Sequence, residues 1–197
     1  MPTAGSRVRS FLVLLFVLGL CVAPGASPAP AQQAAQASAP AAGAVPGVRN
    51  FTKVDSTIAC GGAVTPEAFA ALKEAGYKSV VNLRDASEQG NDVEAAKKAA
   101  EAAGLKYFHL PFAPATPDMT MLDEFLKAAV SPENQPMMLH CAGGGRASMF
   151  WAVKRVMIDG WPVDKAMSEL TNLSKGVPQP TRDLFLDYLK AHGKVRP

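Results

Sequence analysis

The chain has 197 residues, 48% of them hydrophobic and 19% charged, with 20 lysines and arginines against 17 aspartates and glutamates. That balance excludes a disordered polyelectrolyte and offers no basic face for a nucleic-acid or lipid partner. Three cysteines and three histidines with no C-x-x-C pair argue against a disulfide framework or a structural zinc site, and no metal or cofactor is expected.

The first stretch reads as an appendage. Arg7 and Arg9 precede the apolar run Phe11 to Leu20, and Ala29-Pro30-Ala31 supplies an A-x-A cleavage pattern. Ten residues are too few to anchor in a bilayer, so residues 1–31 are expected to be a secretory signal peptide. Cys21 raises a lipoprotein alternative, but Leu20 is a poor residue before a lipidated cysteine. Cleavage would leave 18 basic and 17 acidic side chains in a periplasmic or secreted protein without a stable membrane anchor. Residues 32–47, almost entirely Ala, Gln, Pro, Gly and Ser, read as a flexible tether, and residues 48–197 as one folded domain.

Within that domain, Phe51 to Val54 and Ser56 to Cys60 predict two short strands joined by a turn at Asp55. Gly61-Gly62 ends the second, and Thr65-Pro66-Glu67 supplies the start of a helix running to Ala75 before Gly76. Ser79 to Leu83 is a brief apolar run suited to a buried parallel strand. The polar loop Arg84 to Gly90 leaves the strand end where open α/β sheets bind ligands. Arg84 and Glu88 therefore have two readings, reaching the active site or pairing with each other on the surface. A helix over Asp92 to Ala103 and a strand over Lys106 to Leu110 follow.

Three prolines between Pro111 and Pro117 exclude regular structure, and Asp118 stands where this loop meets a helix carrying Leu122, Phe125 and Leu126. Capping that helix is its first expected role. Three more helices are expected, from Arg146 to Ile158 with an apolar face of Phe150, Val153 and Met157, from Val163 to Leu173 and from Thr181 to Ala191. The alternation of elements predicts an α/β fold, a mainly parallel four- to five-stranded sheet flanked by helices.

The stretch Met137-Met-Leu-His-Cys-Ala-Gly-Gly-Gly-Arg-Ala-Ser148 carries the chemistry. It reads as an apolar strand, a glycine loop opened by a thiol, and a helix whose first turn holds an arginine. Backbone N–H groups of Ala142, Gly143, Gly144 and Gly145, with the N-terminus of the helix behind them, can cradle an anion. The same field, with Arg146 beside it, favours the thiolate of Cys141, which makes Cys141 the candidate nucleophile and Arg146 the oxyanion clamp.

Gly61-Gly-Ala-Val-Thr-Pro-Glu67, then Ala75-Gly-Tyr-Lys-Ser-Val-Val-Asn-Leu-Arg84, then Leu139 to Arg146 resemble, in that order, the dual-specificity-phosphatase-like members of the protein tyrosine phosphatase superfamily. The nearest group is the bacterial phosphatase-like domain also found in beta-lactamase-hydrolase-like proteins. The resemblance runs from about Phe51 to Leu173. It implies a phosphorylated substrate, a cysteinyl-phosphate intermediate on Cys141, and bidentate holding of two phosphate oxygens by Arg146. It further implies an acid on the loop before the third helix, Asp118 with Asp123 as runner-up, and a His140 that orders the loop by a hydrogen bond. Arg84 and the loop backbone would complete the substrate contacts.

Two departures from the wider superfamily stand out. The Cys141–Arg146 spacing is one residue shorter, and Ala147 stands where a hydroxyl is expected, with Ser148 next to it. The short spacing also resembles rhodanese-type sulfurtransferases, and a non-catalytic phosphate-binding module is a third reading. Cys60, at the end of a neighbouring strand, is either a small buried residue or a disulfide partner for Cys141.

Overall fold

The computed structural model describes residues 43–174 and 177–195, so the expected signal peptide and most of the tether lie outside the described residues. Five strands form one sheet: β1 (Thr52–Lys53), β2 (Ile58–Gly61), β3 (Ser79–Asn82), β4 (Lys106–His109) and β5 (Met137–His140), in the order β1-β2-β5-β3-β4. Only β1 runs antiparallel. Asp55 makes its tight connection to β2 by accepting at Oδ1 from Thr57 N and Oγ1, both at 2.7 Å, and from Ile58 N at 3.2 Å.

The last strand in sequence is thereby the central one. Leu139 lies between Cys60 and Val81, and His140 between Gly61 and Asn82. All four parallel strands end at one edge, which is where the loop after His140 emerges.

Alternation along the strands sorts the core into two layers. Ala59, Val80 and Met138 face α1 (Ala68–Glu74) and α2 (Val93–Ala102), with Phe69, Leu72, Tyr77 and Leu105. Ile58, Cys60, Val81, Met137 and Leu139 face the larger layer formed by α3 (Thr120–Ala129), α4 (Gly145–Met157), α5 (Val163–Leu173) and α6 (Gln179–Ala191). In that layer α4 packs against α3, α5 and α6 as well as the sheet. Its residues from Ala147 to Lys154 are all buried, so the single apolar stripe expected from sequence becomes a helix wrapped on every side. The one charge within that run, Lys154, is paired with Asp159 at 2.8 Å.

Several boundaries shift. Regular α1 begins at Ala68 because Thr65 and Pro66 form a preceding turn, their carbonyls accepting from Ala68 N and Phe69 N. Helix α2 starts as expected behind Asp92, whose Oδ1 accepts from Ala95 N at 2.9 Å, whereas α6 starts two residues earlier, at Gln179. The folded domain also reaches further back than residue 48. Val45 is buried against the α1 layer, Thr65 N donates to Gly47 O, and Val48 bridges Val64.

Candidate active site

Cys141 follows the last residue of β5 and is only 2% exposed, at the centre of the sheet edge. Its backbone N–H donates to Gly61 O, and its Sγ accepts from Gly144 N at 3.1 Å. That contact requires Gly144 to sit at φ 110°, a left-handed conformation open to glycine and strained for other residues.

The loop carbonyls are held on the other side. Ala63 N donates to Ala142 O at 3.1 Å, an approach allowed because Gly62 has no Cβ; one placed there would stand 2.8 Å from Ala142 O. Gly144 O accepts from both Ser148 N at 2.9 Å and Ser148 Oγ at 3.0 Å. In a trans peptide C=O and N–H point in opposite directions, so the N–H groups of Gly143 and Gly145 point away from Ala63 and Ser148 respectively. Ser148, offset from the expected hydroxyl position, gives its hydroxyl to the loop backbone.

Arg146, in the first turn of α4, is held by three segments. Nη1 donates to Leu83 O (3.1 Å), Phe112 O (2.9 Å) and Glu88 Oε1 (2.6 Å), while Nη2 donates to Glu88 Oε2 (2.8 Å). Glu88 thus occupies the end fork of the guanidinium. The side fork, Nε with the second hydrogen of Nη2, takes no part in these bonds; it is left for the neighbouring Cys141 and for oxygens of a tetrahedral anion. Burial works against the Arg146 charge, but the hydrogen bonds to Glu88 and the neighbouring Cys141 outweigh it and raise its basicity. In return the Arg146 hydrogen bonds hold Glu88 at about 2, against burial.

Of the two readings of Arg84 and Glu88, the structure contains parts of both. They pair at 3.4 Å, but with Arg84 buried rather than on the surface. Arg84, expected as a substrate contact, donates to Gln89 O (2.6 Å), Gly90 O (3.1 Å) and Glu88. It braces the loop that carries Glu88 to Arg146. That role of Glu88 was missed in the sequence; its signal is a carboxylate four residues beyond Arg84 in a loop leaving the sheet's carboxyl edge.

Both ring nitrogens of His140 are buried. Burial, with Arg84 nearby, pushes its pKa down to about 3 and keeps the ring neutral. Asp118 is exposed just before α3, its Oδ1 accepting from Thr120 N (3.0 Å) and Oγ1 (2.6 Å) at the start of that helix. Asp123, the runner-up, accepts from the hydroxyl of Tyr188 on α6 at 2.5 Å. Cys60 and Cys141 are both free thiols, and burial pushes Cys60 up, toward its neutral form.

The phosphatase-like domain of the beta-lactamase hydrolase-like protein is the family whose model matches residues 50–158. The chain belongs to this family. The beta-lactamase hydrolase-like protein of Xylella fastidiosa strain Temecula1 is 32% identical over 111 residues, covering 54% of this chain and 25% of that one. The chain therefore spans about a quarter of the length of the curated relatives it matches. Among solved structures, a DUF442 protein of Shewanella putrefaciens superposes with a TM-score of 0.64 at 20% identity, covering 74% of this chain and 94% of the other. The core catalytic domain of the PP-IP phosphatase SIW14 of S. cerevisiae gives 0.61 at 19% identity, with 77% and 92% covered. TpbA of P. aeruginosa, in complex with phosphotyrosine, gives 0.56 at 18% identity, with 74% and 91% covered. At these identities the three establish a shared fold. A phosphatase-like domain thus places Cys141, Arg146 and Glu88 where its central strand meets its central helix.

Proposed function

We propose that the chain is an exported cysteine-dependent phosphatase acting on phosphate monoesters, either phosphotyrosine and phosphoserine in proteins or small phosphate esters. The observation that carries this reading is the open side fork of Arg146 beside a Cys141 sulfur that already accepts a backbone N–H. Cys141 Sγ attacks phosphorus as the ester P–O bond breaks and the S–P bond forms. Arg146 and the loop N–H groups take the charge on the non-bridging oxygens. Asp118 gives a proton to the leaving oxygen, then accepts one from the water that attacks phosphorus and breaks the S–P bond. Export rests on Arg7, Arg9, the Phe11 to Leu20 run and Ala29-Pro30-Ala31.

Hydrolysis of an aryl phosphate tests the chemistry. Cys141→Ser should abolish it, and activity surviving that change would rule the mechanism out. Thiosulfate with cyanide should yield no thiocyanate; its appearance would favour a sulfurtransferase instead. Recovery from the periplasm or medium of a chain starting at Gln32 is the outcome expected of export, and retention of residues 1–31 would contradict it.

A further inference from the structure

We propose that Asn50 is a positioning residue for the nucleophile, acting through the peptide between Gly143 and Gly144. The role rests on Cys141 being the reactive thiol of the proposed phosphatase. The two ends of that one peptide have different partners. Asn50 Nδ2 donates to Gly143 O at 3.0 Å, and Gly144 N donates to Cys141 Sγ at 3.1 Å. Because C=O and N–H are antiparallel in a planar trans unit, holding the carbonyl at Asn50 aims the N–H at the sulfur.

This peptide needs such a clamp more than its neighbours do. Ala142 O and Gly144 O are fixed by the backbone N–H groups of Ala63 and Ser148, whereas Gly143 O is held by one side chain. Glycine on both sides gives the unit unusual torsional freedom. Space is there too: a Cβ at Gly143 would meet nothing within 4 Å, and a cavity of about 110 Å³ lies along Asn50, Gly143, Gly144 and Ser148. Without the amide the peptide has room to turn its carbonyl toward the sulfur, replacing a donor with a repulsive dipole.

Asn50 is itself well placed to clamp. It has φ 50°, a conformation asparagine tolerates better than most residues. Just before it, Arg49 N donates to Ala63 O at 2.9 Å and Arg49 O accepts from Gly62 N at 2.6 Å, tying its backbone to the segment that also holds Ala142.

The test reads the thiolate directly. Ultraviolet thiolate absorbance is titrated against pH for the wild-type chain, Asn50→Gly and Asn50→Asp, each minus its Cys141→Ser counterpart so that Cys60 cancels. Glycine keeps the positive φ and removes only the amide. Aspartate keeps the shape and puts an acceptor against Gly143 O. Losing one hydrogen bond to the sulfur should move the Asn50→Gly midpoint up by roughly half to one pH unit, about three- to tenfold less thiolate below the midpoint. Asn50→Asp should shift it at least as far. Folded variants that titrate like wild type overturn the proposal. Aryl phosphate hydrolysis measured in parallel separates the two readings. A shifted midpoint in a wild-type chain that hydrolyses nothing supports the positioning role and overturns the phosphatase, and active wild type with unshifted variants does the reverse.

Discussion

At Glu88 one carboxylate meets two guanidinium groups, and the geometry assigns it orientation rather than stability. With side-chain exposures of 13% and 26%, the Arg146–Glu88 pair gives back in desolvation much of what it gains in attraction. What it fixes is which edge of Arg146 faces an incoming anion. Glu88→Gln should therefore lower kcat/KM by roughly ten- to a hundredfold, while Arg146→Ala should cost about a thousandfold or more, both read with an aryl phosphate. Equal losses would mean that Glu88 touches substrate or that the fork is not the binding edge. Two groups here also set the acid response. His140 falls from an ordinary 6.5 to about 3 on folding and Glu88 from 4.5 to about 2. In both the unfolded chain binds the proton more tightly, so their contribution is complete above the ordinary value and is lost as pH falls through the folded one. The melting temperature should therefore drop between about pH 6.5 and 5 in the wild type, and drop less in His140→Asn. Parallel curves for the two proteins would contradict that assignment.

Among the elements, the loop between β5 and α4 depends on two backbone facts that no side chain reports. Gly144 must hold φ 110°, and Gly62 must let Ala63 reach Ala142 O. Gly144→Ala should cost about 1–2 kcal/mol of stability for the positive φ and remove most phosphatase activity, since relaxing the strain moves the N–H off the sulfur. Thermal unfolding and aryl phosphate turnover check the pair of effects, and full activity in this variant would break the link between that peptide and the thiol. The element pattern was largely legible in the sequence. Helix α5 falls on Val163–Leu173 as expected, and the strands differ by a residue or two at their ends. What escaped depends on partners distant in the chain. Val45 is one apolar residue in an Ala, Pro and Gly stretch, and its burial comes from the α1 layer. Asn50 looks like an ordinary turn residue until Gly143, far along the chain, stands opposite it.

For the whole molecule, the fold's main consequence is that its most buried helix begins at its reactive loop. Phe150 packs edge-on against Phe112 at 5.1 Å and tilted against Phe125 at 5.6 Å, joining α4 to α3 and to the segment whose Phe112 carbonyl also holds Arg146. Phe150→Ala should cost about 3–5 kcal/mol in denaturant unfolding. A loss below about 1 kcal/mol, within the range of surface changes, would show that this cluster is not the core it looks to be. The mainly parallel sheet covered by helices followed from the alternating elements, whereas the central place of β5 is seen only in the strand order. The wrapping of α4 did not, because Lys154 and Arg155 within it resemble a solvated face until Asp159 and Glu169 are seen to neutralise them. In the proposed reaction Cys141 carries the phosphoryl group between ester and water. Acid quenching during aryl phosphate hydrolysis, followed by peptide mass spectrometry, should find phosphate on the Cys141 peptide of the wild type and none in Cys141→Ser; continued hydrolysis by that variant would rule out a phosphorylated Cys141.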